Sequence, residues 1–166
     1  MSKIESYRTF GEGSKGYGWA GMTPIEFKHW MKLAEERFCK LKEEFEFDAI
    51  AFCGSSGCAI AFSLASRFAI PLIYVRKAGE KTHGSKVECN HKHVEIKKYL
   101  IVDDFPETGA TVFRIINRIA KTAKKRKAYP AEPVGVLCFD PYVDRDREII
   151  INDKPIKLFS SMPTRS

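Results

Sequence analysis

The stretch Tyr99-Leu100-Ile101-Val102-Asp103-Asp104-Phe105-Pro106-Glu107-Thr108-Gly109-Ala110-Thr111 decides the fold. Four apolar residues ending in Val102 predict a buried strand, so the two carboxylates that follow fall at its carboxyl end, where open α/β sheets bind ligands. Two adjacent carboxylates can accept hydrogen bonds from vicinal hydroxyls, as on a ribose, and can orient hydrated magnesium. Beyond them, Glu107-Thr108-Gly109-Ala110-Thr111 leads into a helix predicted from Thr111 to Ala123. Free backbone N–H groups, two threonine hydroxyls and the positive end of the helix dipole converge there, which attracts phosphate.

Outward from this stretch the pattern is one of short apolar runs separated by helical segments, the rhythm of a parallel sheet with crossover helices. Ala49-Ile50-Ala51-Phe52-Cys53 predicts a buried strand, Ala59 to Phe68 a helix, Pro71 to Val75 a strand and Val134 to Phe139 another. Ile149-Ile150-Ile151 and Ile156-Lys157-Leu158-Phe159 flank Asn152-Asp153-Lys154-Pro155 and suggest a closing hairpin. Upstream, Thr23-Pro24-Ile25-Glu26 reads as a capping box with proline at the first helical position. Phe27, Met31, Ala34, Phe38, Leu41 and Phe45 then form one apolar stripe suited to packing on a sheet. The first twenty residues are glycine-rich with Phe10, Tyr17 and Trp19 interleaved, and read as a loop.

Two further loops carry candidate chemistry. Gly54-Ser55-Ser56-Gly57 follows the first strand, and its glycines and hydroxyls either wrap backbone amides around a phosphate or make a tight strand-to-helix turn. The polar stretch Arg76 to His93 is too long for an ordinary connection and is expected to be mobile and functional. Within it, Arg76, Lys77, Lys81 and His83 on a glycine-bounded loop suit a lid over a polyanion, or else a solvated basic loop. Cys89, His91 and His93 alternate at spacing two and could hold zinc with His83 or water, although the spacing matches no known closed site.

The segment Leu100 to Thr111 resembles the phosphoribosyl pyrophosphate motif of the type I phosphoribosyltransferases. The resemblance implies an α/β fold, a parallel sheet flanked by helices with a small hood from the termini, in a single domain. Its core would span about 48–139, with 1–47 and 140–166 contributing to the hood. It also implies an enzyme that moves the phosphoribosyl group of phosphoribosyl pyrophosphate to a nucleobase, with Mg2+ as cofactor. Asp103 and Asp104 would hold the ribose hydroxyls, with magnesium reaching either through water. Glu107, Thr108, Gly109, Ala110 and Thr111 would grip the 5′-phosphate, with Phe105 and Pro106 also among the residues that bind phosphoribosyl pyrophosphate, and Gly54, Ser55, Ser56 and Gly57 would form the pyrophosphate loop. Arg76, Lys77, Lys81 and His83-Gly84 are similar to the lid of orotate phosphoribosyltransferases, which reaches across a dimer interface and so implies a homodimer. One extra residue precedes Lys81, and Arg76-Lys77 with Gly79 is also similar to the adenine enzymes. Glu107 stands where 6-oxopurine enzymes carry an acid-base aspartate, so the base is left open between orotate and a purine. Phe139 or Tyr142 would stack on that base or pack in the core.

The 166 residues, 44% hydrophobic, suffice for one sizeable core. No apolar run approaches the roughly 20 residues needed to span a bilayer. Met1-Ser2-Lys3-Ile4-Glu5-Ser6 is too polar and acidic to open a secretory signal, so a cytoplasmic protein without membrane contact is expected. Five scattered cysteines are expected to be reduced. The net charge of +7 suits nucleic acid as well as small polyanions, but the densest run, Lys121 to Lys127, sits where cations meet the negative end of a helix dipole. Nucleic acid is therefore the rival partner, as in regulators that share the fold.

Overall fold

The computed structural model describes residues 23–80, 85–90, 95–104, 108–128, 130–139, 143 and 145–162, with Ser56 by its backbone alone. Helix α1 (Pro24–Glu44) starts at the expected capping box: Glu26 N donates to Thr23 Oγ1 at 3.3 Å and Thr23 N to Glu26 Oε2 at 2.8 Å. Those bonds stabilise the charged carboxylate and hold Glu26 below its ordinary pKa. Ala34, Phe38 and Leu41, three and four residues apart, form its fully buried face.

The remaining elements are β1 (Ala49–Cys53), α2 (Gly54–Phe68), β2 (Leu72–Val75), β3 (Val87–Cys89), β4 (Lys98–Asp103), α3 (Ala110–Lys125), β5 (Glu132–Cys138), β6 (Arg147–Ile151) and β7 (Lys154–Ser160). The strands make one sheet in the order β3-β2-β1-β4-β5-β7-β6. The inner pairings β2–β1, β1–β4, β4–β5 and β5–β7 are parallel, whereas β3 on β2 and β6 on β7 are antiparallel. Alternation along the strands divides the core into two layers. Ile50, Phe52, Leu100, Val102 and Leu137 meet α1 and α2 on one face, while Ala49, Ala51, Tyr99, Ile101 and Val136 meet α3 on the other.

From β1 the chain passes through α2 to β2 on one side; from β4 it passes through α3 to β5 on the other. The strand order therefore reverses between β1 and β4, and the crevice at their carboxyl ends is the switch point at which such sheets take ligands.

Three departures from the sequence reading bear on that crevice. Helix α2 begins at Gly54 instead of Ala59, so Gly54-Ser55-Ser56-Gly57 is its first turn and not a separate loop. Gly54, at φ +70°, turns the chain within one residue, and a side chain on Gly57 would run into the backbone oxygen of Val102. The stretch from Arg76 to His93, expected to be a mobile, functional connection, contains β3. Three residues, two half-buried and one exposed, pairing only on β2 leave little apolar signature. Finally, the expected closing hairpin forms around Asn152 and Asp153, whose φ angles of 51° and 59° suit a two-residue hairpin turn. It joins the main sheet through β7, so of the segments assigned to a hood, α1 lies on a sheet face and β6 and β7 extend the sheet. The glycine-rich residues 1–22 lie outside the described part of the chain, and no helix among the described residues is long and apolar enough to cross a membrane.

Replacing Gly57 with alanine should push α2 off β4 and destabilise the protein by about 1–3 kcal/mol, as overpacking does. Urea denaturation checks this; a midpoint equal to that of the wild type would show that the contact is not tight.

Candidate functional site

Asp103 continues the alternation of Tyr99 and Ile101 and so projects to the α3 side of the sheet, at the last position of β4. It is only 2% exposed. Its Oδ1 accepts the backbone N–H of Asp104 at 3.2 Å, while Oδ2 is buried with no hydrogen-bond partner among the described residues. Burial, reinforced by the Asp104 charge and opposed by Lys77, pushes its pKa up to about 7. A buried acceptor left open is costly unless something else supplies a donor or a cation.

The surrounding backbone is fixed from the side of β5. Phe139 N donates to Asp103 O at 3.4 Å, and the Cys138 thiol donates to Asp104 O at 3.3 Å. Cys138 is the register partner of Asp103, and Cys53 occupies the last position of β1. The amino end of α2 follows Cys53 directly, that of α3 begins at Ala110 beyond the loop after Asp104, and neither N-cap residue supplies a side-chain cap. Thr108 Oγ1 takes the Ala110 N–H at 3.3 Å, and Gly109 at φ +66° lets the chain turn into α3 while packing against Ile151. Two helix amino termini, each with positive dipole charge, thus flank the open carboxylate.

The cations divide. Lys77 lies across the first turn of α2, its Nζ 2.9 Å from the place a Cβ on Gly54 would occupy. Arg76 turns the other way: its Nε and Nη2 each donate to Glu88 at 3.1 Å, and its guanidinium lies 4.5 Å over the Tyr74 ring. Its charge is therefore committed to β3. Arg114, which the sequence reading passed over, reaches to 4.0 Å from Cys53 Sγ. The signal was available, since Arg114 stands three residues after Thr111 and so shares its flank of α3.

Asp103, Asp104, Gly54, Ser55, Gly57, Lys77, Thr108, Gly109, Ala110 and Thr111 accordingly gather at the carboxyl ends of β1, β2 and β4 or the helix starts that follow. Phe105, Pro106, Glu107, Lys81, His83, His91, His93 and Tyr142 lie outside the described residues, as does the Ser56 side chain. Phe139 is 1% exposed in the core under α1 and α2, which settles its alternative roles in favour of packing. Cys89 is exposed on β3, and among the described residues no group of three or more His, Cys, Asp or Glu could hold a metal.

This fold is that of the type I phosphoribosyltransferases. The crystal structure of orotate phosphoribosyltransferase from Aeropyrum pernix matches 84% of this chain and 72% of its own, with a TM-score of 0.55 at 17% identity. A crystal structure of adenine phosphoribosyltransferase matches 84% of this chain and 82% of its own, with a TM-score of 0.56 at 15% identity. In sequence, the chain is 34% identical over 74 residues to the orotate phosphoribosyltransferase of Sinorhizobium medicae, a match covering 45% of this chain and 32% of that enzyme. The matched part is thus about a third of the length of these relatives. No family model matches the chain.

Because the Asp103 pKa is raised by folding from 3.8 to about 7, stability from this group is fully present below pH 3.8 and is lost as pH rises through 7. Asp103→Asn should therefore melt at a higher temperature than the wild type, with a gap that widens between pH 4 and 7 and then levels off. Scanning calorimetry across that range checks it; a pH-independent gap would contradict the burial of an ionisable group.

Proposed function

We propose that the chain transfers the 5-phosphoribosyl group of phosphoribosyl pyrophosphate to a nucleobase, orotate or a purine, and releases pyrophosphate. The observation that carries this reading is the open, buried Asp103 carboxylate close to the amino ends of α2 and α3, where neither N-cap residue supplies a side-chain cap. A ribose hydroxyl is a donor for Oδ2, and phosphates on either side of the ribose suit the two helix termini.

In this mechanism Asp103 and Asp104 hold the ribose hydroxyls, the loop 107–111 binds the 5′-phosphate, and the first turn of α2 with Lys77 faces the pyrophosphate. A ring nitrogen of the base attacks the ribose C1 as the C1–O bond to pyrophosphate breaks; the bonding pair leaves with pyrophosphate and the base loses its N–H proton. Lys77 stabilises negative charge developing on the leaving group, and Glu107 is the candidate acceptor of the proton. The oxygen donors at Asp103 and Asp104 fit magnesium held through water, and the ion would add positive charge against the pyrophosphate. A homodimer would let the lid residues Lys81 and His83 reach a neighbouring site. The orotate relatives favour orotate as the first base to test.

A regulator that binds nucleic acid is the second reading, because Lys121, Lys124, Lys125, Arg126 and Lys127 are all exposed and none forms an ion pair with a described residue. A panel of bases with phosphoribosyl pyrophosphate and magnesium separates the two. Transfer requires pyrophosphate release with orotate or a purine, and Lys77→Ala should lower turnover far more than substrate binding. Glu107→Gln should cut turnover by roughly 10²–10⁴-fold with binding of phosphoribosyl pyrophosphate nearly intact. No release with any base, together with salt-dependent RNA binding lost on neutralising Lys124, Lys125, Arg126 and Lys127, would establish the regulator instead.

A further inference from the structure

The segment that follows β2 is held by bonds that meet at one residue. Glu80 Oε2 accepts the Lys77 backbone N–H at 3.1 Å and the Tyr74 hydroxyl at 3.2 Å. Its carbonyl oxygen accepts Lys86 Nζ at 2.7 Å, and Lys86 O accepts Arg76 N at 3.0 Å, which ties the turn to the start of β3. Gly79, at φ +85°, lets the chain fold back so that the Glu80 side chain can reach Lys77.

Tyr74 is fixed in its turn. Its ring stacks on Phe52 with centroids 4.8 Å apart and planes within 7°, and Arg76, clamped by Glu88, covers the ring. Phe52 belongs to β1, two residues before Gly54. The contacts therefore close a circuit: β1 orients Phe52, Phe52 orients Tyr74, Tyr74 orients Glu80, Glu80 holds the Lys77 backbone, and the Lys77 side chain returns to Gly54. A lysine on a free loop would sample many rotamers, whereas one with its backbone fixed starts near its working position. Burial and the neighbouring Glu80 charge both raise the Tyr74 pKa, so the hydroxyl keeps the proton it donates.

We propose that Glu80 is a positioning residue which, held by Tyr74, fixes Lys77 across the first turn of α2 so that its ammonium is in place for the leaving pyrophosphate. The proposal rests on the phosphoribosyl-transfer reading and goes beyond it by assigning a role to two residues, Glu80 and Tyr74, that touch no substrate.

The test is a double-mutant cycle in the full chain, read by pyrophosphate release at saturating and subsaturating phosphoribosyl pyrophosphate and by calorimetric binding of magnesium pyrophosphate. Glu80→Ala should lower kcat by about 10–100-fold, the scale of a misplaced catalytic group. Glu80→Gln should restore most of that rate, because its amide oxygen accepts the same two bonds. Tyr74→Phe, which removes only the hydroxyl, should give a smaller loss in the same direction. In a Lys77→Ala background, neither Glu80→Ala nor Tyr74→Phe should cost more than about twofold further, since residues acting through one group are not additive. Equal losses in the presence and absence of the Lys77 side chain would overturn the proposal, as would a Glu80→Ala protein with wild-type kcat. A wild type that releases no pyrophosphate with any base and does not bind magnesium pyrophosphate would instead overturn the transfer reading, and the positioning role with it.

Discussion

The absence of a side chain at Gly57 governs the geometry of the crevice. A Cβ there would meet the Val102 backbone oxygen and lie 3.1 Å from the Phe52 Cβ. With hydrogen in its place, the first turn of α2 rests directly on the end of β4. That contact brings the amino end of one helix beside the carboxylate that ends the next strand. Because α3 starts just beyond the same strand on the opposite face, two positive helix ends come to bracket one carboxyl group.

The electrostatic consequence is a carboxyl that is expensive in isolation. Asp103 is withdrawn from water, repelled by Asp104 and given a single backbone donor, so that its charged form is disfavoured in the free protein. A ligand bearing hydroxyl donors would relieve that cost at the point where the fold has already gathered the amino ends of two helices.

Much of this was legible in the sequence because the signals were apolar runs and turn residues. Ala49–Cys53 emerged as β1 with its full extent, the Thr23-Glu26 capping box opened α1, and Asp103 closed β4. What escaped was encoded in contacts instead of patterns. The helical character of Gly54-Ser55-Ser56-Gly57 depends on how closely α2 approaches β4, which no local propensity reveals. The short strand β3 has neither length nor alternation, and is held by pairing with β2 and by Arg76 reaching Glu88. Arg76 and Lys77 are adjacent and both basic, yet one is committed to an ion pair and the other to Gly54; only the fold of the turn through Gly79 and Glu80 separates them.

A backbone-amide NMR titration with phosphoribosyl pyrophosphate and magnesium tests most directly whether the crevice between β1 and β4 is the binding site. Expected are saturable shifts concentrated at Gly54 to Gly57, Asp103, Asp104 and Thr108 to Thr111, with the amino ends of both helices responding together. Saturable shifts centred on the far end of α3, around Lys124 to Lys127, with those amides unmoved, would contradict the placement of the site.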